Sequence, residues 1–261
     1  MPRLTRRLIR DLVRARSVRR WERLADDIDR MPLANLRGLD DEARTLRRSL
    51  NRIVARSNAR LDLHRPGAEP LDLPSGTTWR WRPQLMAART SPRGIAAPES
   101  GTRLAEEAAI WHDCPERALV LRQMRNSRSA ELSPYGLLLE ILGFSGSFLS
   151  ISIDLPQAAL NGLTRSRIVR LASVMSVERP MNIYARLNVG HGPNTDQLLR
   201  HLGDLQPGRT TSLVTEFDMF RIEMNEKRLE KIWLDLIFES PHMNAVRIGD
   251  LFLSHHSRAE V

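Results

Sequence analysis

The spacing of hydrophobic positions changes about 100 residues from the N-terminus of this 261-residue chain. In residues 1–60 they recur every three or four positions, which is typical of helices with one apolar face. From about residue 105 they recur at every second position, the period of a strand with one buried face. The pattern predicts an α+β protein with a helical N-terminal part and an antiparallel β-structure after it.

Two amphipathic helices are predicted in residues 1–60. The first has leucines spaced by four from Leu4 to Leu12 and contains no Pro or Gly before Pro32, which disfavours helix at the residue before it. The second begins near Asp40 or Asp41, either of which can cap it by accepting hydrogen bonds from free amides. Its apolar residues are spaced alternately by three and four, namely Ala43, Leu46, Leu50 and Ile53. We expect a helical hairpin or a paired coil.

Residues 61–100 have the composition of a linker, with six prolines and several glycines. Within this Pro-rich strap, the segment TTWRWRP alternates Trp79 and Trp81 with Arg80 and Arg82. Because tryptophan is rarely left in water, we expect the strap to pack along the body of the protein.

Eight segments after residue 105 are predicted as strands, because their apolar residues alternate and Pro, Gly, Asn or Ser separates them. They are residues 118–124, 136–142, 148–155, 167–177, 181–189, 212–220, 231–238 and 245–253. No helical segment of crossover length lies between them. We therefore predict an antiparallel β-sandwich or jelly roll over residues 101–261, and we expect it to fold without the helices.

The strand at 181–189 has a chemically distinctive polar face. Its apolar residues are expected to face the core and its polar residues the solvent, and the segment GHGPNTD after it is expected to be a polar loop. Amide, phenol and guanidinium groups donate and accept in fixed directions, which suits sugar hydroxyls and ring faces. The sequence predicts a ligand site made of Asn182, Tyr184, Arg186, Asn188, His191 and Asn194. The alternative is a solvated strand face followed by an ordinary turn.

Positive charge is concentrated at the N-terminus. Residues 1–60 contain 17 arginines and 8 acidic residues, a net charge of +9, whereas residues 99–261 have a net charge of −2. This asymmetry predicts a basic arm for an anionic partner, either a membrane surface or the phosphates of nucleic acid. Five arginines at helical spacing are predicted to bind it: Arg3, Arg6, Arg7, Arg10 and Arg14. The alternative is a solvated hairpin that forms a homodimer through its apolar stripe.

No motif of a metalloprotease, an α/β-hydrolase, a nucleotide-binding loop or a dinucleotide-binding fold is present in the sequence. Asp113, Glu216 and Asp235 are candidate carboxylates for a glycan-active enzyme, but no spacing pairs them. The adjacent His255 and His256 lack a third ligand in the sequence, so we expect neither a metal nor a cofactor.

Cys114 is the only cysteine, so no intrachain disulfide can form and a reducing compartment fits. No run of about 20 apolar residues is present, and the N-terminus lacks the apolar region of a secretory signal. We expect a cytoplasmic protein, with a peripheral membrane position as an alternative. Trp111 is assigned to the core or to the end of the sandwich; the alternative is an aromatic platform beside the acid–base groups of His112 and Asp113.

Several phrases of the sequence resemble a family of uncharacterised bacterial proteins, mainly alphaproteobacterial. They are RLNVGHGPNTDQL, the segment KIWLDLIFESPHMNAVRIGDLFLSHHSRAE with its ending from His256 to Glu260, the WxWRP motif from Trp79 to Pro83 and the GSFLS strand from Gly146 to Ser150. The likeness covers most of the chain and implies no activity, so no catalytic residue is carried over. More loosely, the C-terminal strands are similar in rhythm to carbohydrate-binding jelly rolls.

The leading hypothesis is a non-catalytic binding protein. Its sandwich recognises a glycan or a protein, and its basic helices hold it at an anionic surface. The alternatives are a nucleic-acid or ribosome-associated protein that uses the N-terminal arginines, and a glycan-active enzyme with carboxylates on the sandwich. None of the standard nucleic-acid modules is present in the sequence.

Overall fold

The structure is a computed structural model that describes residues 2–61, 73–126 and 133–258; within the first range, side chains are described for residues 13–50 and for Ile53. The chain divides into two compact units, Met1–Ile53 and Val54–Val261. The first contains the helical part and the second the sandwich, as the sequence predicts for the fold class.

The N-terminal unit is helical. Helix α1 is Pro2–Asp26, a short 3-10 turn follows at Ile28–Arg30, and helix α2 is Leu33–Leu61. The prediction that the second helix begins near Asp40 is wrong. The carbonyl of Pro32 accepts the amides of the first turn, so the proline starts the helix and the acidic cap is not needed.

The apolar stripe of α2 is exposed. Leu50 and Ile53 are 55% and 62% exposed, and Leu46 is exposed as well. The pairing of the two helices as a hairpin stays a prediction. Among the helices that the structure describes, none combines the length and the apolar character needed to cross a membrane.

In the part of the chain that the structure describes, thirteen strands and one short helix follow α2. They are β1 Trp79–Trp81, α3 Gln84–Ala87, β2 Gly94–Ala96, β3 Thr102–Arg103, β4 Ala108–His112, β5 Leu119–Arg125, β6 Tyr135–Ile141, β7 Leu149–Asp154, β8 Arg167–Val177, β9 Ile183–His191, β10 Asn194–His201, β11 Thr211–Asp218, β12 Leu229–Phe238 and β13 Asn244–Ser257. The eight predicted strands are confirmed as β5 to β9 and β11 to β13.

The strands form two antiparallel sheets. The seven-stranded sheet has the order β11-β8-β13-β6-β5-β2, with β1 also paired to β13. The six-stranded sheet has the order β10-β9-β12-β7-β4-β3. The fold is therefore the antiparallel β-sandwich that the alternation predicts.

The core lies between the sheets and is made of the alternate, inward-facing residues of each strand. Ile151 in β7, Leu187 in β9 and Leu236 in β12 come from the six-stranded sheet, and Leu139 and Leu253 come from the other. All are almost completely buried. Burying each such side chain contributes roughly 1.5–3 kcal/mol, which makes this interior the main source of stability.

The described part of the Pro-rich strap belongs to the sandwich. Strand β1 pairs with the end of β13, and Leu85 and Met86 of α3 are fully buried in the core. The side-chain amide of Gln123 donates to the carbonyls of Leu85 and Ala88 at 2.6 and 2.7 Å. The sandwich predicted over residues 101–261 therefore also includes β1, α3 and β2. Residues 62–72 of the strap lie outside the described residues.

Candidate functional site

The outer face of the six-stranded sheet carries a row of polar residues that crosses four strands. In β9 the even-numbered residues point outward, because Ala185 and Leu187 are buried in the core. The register places Arg186 opposite Asp235, Asp235 opposite Ser152, and Ser152 opposite Ala109 of β4. Four strands thus bring together side chains that are distant in the sequence.

A second row crosses the same strands one step further along. It runs from Tyr184 through Ile237 and Ser150 to Trp111. Three strand spacings separate its ends, a distance of about 14 Å. The second row thus has an aromatic residue at each end, Tyr184 and Trp111, with the small Ser150 beside Trp111.

Trp111 is 45% exposed, so its assignment to the core or to the end of the sandwich is wrong. Its neighbours Ile110 and His112 take the inward positions of β4, and alternation places the indole outside. A Cβ atom at Gly101 would lie 3.3 Å from two atoms of the indole ring. Glycine at this position, which has a φ of 83°, therefore gives the ring room to lie against the backbone.

The loop beside Trp111 is held by Asp113. Its carboxylate accepts the backbone amides of Ser147 and Phe148 at 2.8 and 3.1 Å and the Ser147 hydroxyl at 2.6 Å. The hydroxyl first, and then the amides, lower the pKa of Asp113 to about 2. Phe148 precedes β7 and is exposed next to Trp111. Asp113 therefore fixes a loop that presents a second aromatic side chain.

Arg186, Asp235 and Asn188 form one cluster. Oδ2 of Asp235 accepts Nε and Nη2 of Arg186 at 3.1 and 2.9 Å and Nδ2 of Asn188 at 2.9 Å. The carboxylate is buried, whereas the Arg186 side chain is 37% exposed. The cluster is thus a charge-assisted network with one face open to solvent.

The prediction that Asn188 faces solvent is wrong. It lies in the outward row but is fully buried, between its cross-strand neighbours Trp233 and Gln197. Its Nδ2 also donates to the carbonyls of Arg186 and Trp233. Its Oδ1 is buried without a hydrogen-bond partner among the described residues. A buried amide oxygen in this state costs free energy.

His191 and Asn194 are not part of this face. Strand β9 continues to His191, and β10 begins at Asn194, so the predicted loop is a hairpin with a two-residue turn. Gly192 takes a φ of 58° at the first turn position, where a type II′ turn needs glycine. Alternation then turns His191 toward the inner side, where its Nε2 lies 2.9 Å from Asp196. The structure therefore separates His191 and Asn194 from the predicted row.

The remaining members of the predicted row stay on the outer face. Tyr184 is half-buried and packs at a tilt on His201, with ring centroids 5.1 Å apart. Asn182 precedes β9 and donates to Glu239 at 2.7 Å. Trp233 lies on the same face, as its strand pattern predicts, with Nζ of Lys231 4.2 Å from the ring centroid. The outward position of Trp111 could have been predicted from the same alternation of inward and outward residues in the short strand β4.

The three candidate catalytic carboxylates are not brought together. Glu216 belongs to β11 of the other sheet, Asp113 holds a loop, and Asp235 is paired with Arg186. In the described ranges, no group of three or more His, Cys, Asp or Glu side chains is placed to hold a metal ion.

The predicted basic site lies mostly outside the described side chains. The backbone of α1 is described, but the side chains of four of the five arginines are not, namely Arg3, Arg6, Arg7 and Arg10. Arg14 is exposed. Their binding to an anionic surface stays a prediction.

Solved structures share part of this fold at very low identity. The enzymatically active domain of bacteriophage CBA120 tailspike protein 4 is 5% identical over 56% of this chain, with a TM-score of 0.40, and the chain spans only 19% of it. The CBM22-1 and GH10 modules of the Clostridium thermocellum xylanase Xyn10B, solved with xylohexaose, are 9% identical over 57% of this chain and 29% of their own, with a TM-score of 0.38.

The CBM22-1 xylan-binding domain of Paenibacillus barcinonensis Xyn10C is 10% identical over 64% of this chain and 94% of its own, with a TM-score of 0.38. These likenesses are too distant to carry an argument about function. No curated protein matches the chain. A family of unknown function, DUF6478, matches residues 1–261, and the chain belongs to it.

Proposed function

We propose that this protein binds a glycan, without catalysis, on the outer face of its six-stranded sheet. The observation that carries the proposal is the exposed indole of Trp111, which lies beside the small Ser150 and on the same sheet face as the Arg186–Asp235 pair. A flat aromatic side chain offers a surface for the apolar face of a sugar ring. The polar pair beyond it offers directional groups for the hydroxyls.

The rigidity of the face supports the proposal. Trp111 lies against Gly101, and Asp113 ties down the loop that carries Phe148. Arg186 is held by two hydrogen bonds to Asp235. A ligand that meets side chains already in place loses less conformational entropy on binding.

The experiment measures binding of the full chain to cellohexaose, xylohexaose, mannohexaose and oligogalacturonate by isothermal titration calorimetry. We expect at least one to bind, and we expect Trp111→Ala to lower its affinity by about tenfold or more, because stacking area is lost.

The matched control is Phe220→Ala. Phe220 is also an exposed aromatic residue, but it lies in the turn after β11 of the other sheet. Its replacement is expected to leave the affinity unchanged. Binding of none of the four oligosaccharides, or equal affinity of the Trp111→Ala and wild-type chains, contradicts the proposal.

A further inference from the structure

The charges on the outer face of the six-stranded sheet are slightly negative in sum. Arg186 pairs with Asp235 at 2.9 Å, and Arg103 of β3 pairs with Asp154 of β7 at 3.1 Å. Beyond these pairs, the face carries Lys231, whose ammonium lies over Trp233, Glu239, which accepts from Asn182, and at its edge Asp113. Three cations and four anions leave a net charge of −1, which does not attract an acidic ligand.

One carboxylate oxygen on this face is left without a donor. All three side-chain hydrogen bonds to Asp235 end on Oδ2, and the described hydrogen bonds leave its Oδ1 without one. An uncharged hydroxyl group is a donor that satisfies such an acceptor, whereas a carboxylate or sulfate group brings only more acceptors.

We propose that the ligand is an uncharged oligosaccharide that lies across the strands, with a hydroxyl donating to Oδ1 of Asp235. The inference rests on the proposed function and narrows its ligand class. An acidic sugar would bring its carboxylate toward Asp235 and Glu239, on a face whose charges sum to −1. The charge of Arg186 is already offset by Asp235, so the pair has no net positive charge to attract an acidic sugar.

The direction of the ligand follows from the row that joins Trp111 to Tyr184. It crosses four strands over about 14 Å. A single sugar ring would reach only one end of this row. An oligosaccharide can stack on Trp111 and still reach the cluster around Asp235.

The test compares neutral with acidic ligands on the full chain. The neutral set is cellohexaose, xylohexaose and mannohexaose; the acidic set is oligogalacturonate, oligoalginate and hyaluronate. We expect binding from the neutral set only. A preference for an acidic member would overturn this inference and leave the proposed function standing. Absence of binding from both sets would overturn both.

Asp235→Asn sharpens the test, because it keeps the shape of the side chain and removes its charge. We expect it to lower the affinity for the neutral ligand by about tenfold. We also expect it to allow an acidic ligand to bind, since Arg186 loses its anionic partner. The matched control is Glu140→Gln, which breaks the Arg122–Glu140 ion pair on the other sheet. Should Asp235→Asn bind as the wild type does, the inference is wrong. If this variant does not fold, the wild-type comparison decides alone.

Discussion

The two units of this protein place their apolar residues in opposite environments. In α2, Leu50 and Ile53 of the apolar stripe are more than half exposed. In the sandwich, inward residues such as Leu187 and Leu236 are at most 1% exposed. Both sets follow regular spacings in the sequence, of three and four in the helix and of two in the strands.

The difference teaches what a hydrophobic period does and does not predict. The period identifies which face of an element is apolar, because it depends only on local geometry. It does not identify what covers that face. In the sandwich each sheet covers the other, and both come from the same chain. In α2 the period likewise identifies an apolar face, but Leu50 on that face is exposed among the described residues.

Removal of the Pro-rich strap is expected to have the largest effect on the stability of the sandwich. We predict that a fragment of residues 73–261 unfolds cooperatively and that residues 100–261 alone do not. Removing residues 73–99 takes away β1, α3 and β2, including the fully buried Leu85 and Met86. It also leaves the buried Asp250 without Arg82, which binds it at 2.9 Å. These losses together come to about 7–15 kcal/mol, which is comparable with the roughly 5–15 kcal/mol of a typical domain.

Urea denaturation followed by tryptophan fluorescence and circular dichroism checks this prediction. The fragment of residues 73–261 is the control, since it also lacks the helical unit. Cooperative unfolding of residues 100–261 would show that the original boundary at residue 100 is correct and that β1 and α3 are dispensable.

A pair of leucine substitutions compares the units directly. Leu236→Ala is expected to lower the free energy of unfolding of the sandwich by about 2–5 kcal/mol, because it removes buried atoms and leaves a cavity. Leu50→Ala is expected to change it by less than about 0.5 kcal/mol, because the side chain is exposed. Chemical denaturation of the full chain measures both. A large effect of Leu50→Ala would mean that another surface covers the stripe.

His255 makes the stability of the sandwich depend on pH. Burial, followed by the charge of Arg167, lowers the pKa of His255 from 6.5 to about 4. The folded state therefore keeps the ring neutral where the unfolded state binds a proton. Its contribution is complete above pH 6.5 and is lost as the pH falls from 6.5 to about 4.

We predict that His255→Asn flattens the pH dependence of the free energy of unfolding in that interval. The variant also loses the stacking of His255 on Trp79, so its stability at neutral pH falls as well. Replacement of the exposed His242 is the control and should leave the pH profile as it is. An unchanged slope in His255→Asn would mean that other groups titrate there.

The long strands could be predicted from the sequence because both of their faces show strict alternation. In β12, Leu234 and Leu236 face inward while Trp233 and Asp235 face outward, and the structure confirms this pattern. Strand β10 was missed because it lies at the edge of its sheet and only Leu198 of its residues is buried. An edge strand with one buried residue has no period to detect.

The composition of the site could be predicted only in part. The outward positions of Tyr184 and Arg186 follow from alternation within one strand. The partnership of Arg186 with Asp235, and the burial of Asn188, depend on strand register, which joins segments about 50 residues apart. Register is a property of the assembled sheet, so spacing within one segment does not reveal it.

The arginines of α1 are expected to affect binding to an anionic surface rather than stability. We predict that Arg3, Arg6, Arg7 and Arg10 changed to Gln weaken binding to vesicles containing phosphatidylserine and flatten its salt dependence, each contributing about 1 kcal/mol. The reason is the net charge of +9 in residues 1–60 against −2 in residues 99–261.

Four exposed arginines of the sandwich, changed together to Gln, are the matched control: Arg117, Arg122, Arg125 and Arg209. Co-sedimentation at two salt concentrations measures both sets, with a single-stranded RNA in parallel to test nucleic acid as the anionic partner. Equal losses in the two sets would make the effect one of net charge. Unchanged binding in both would leave α1 and α2 with the role of pairing, within the chain or between two copies of it.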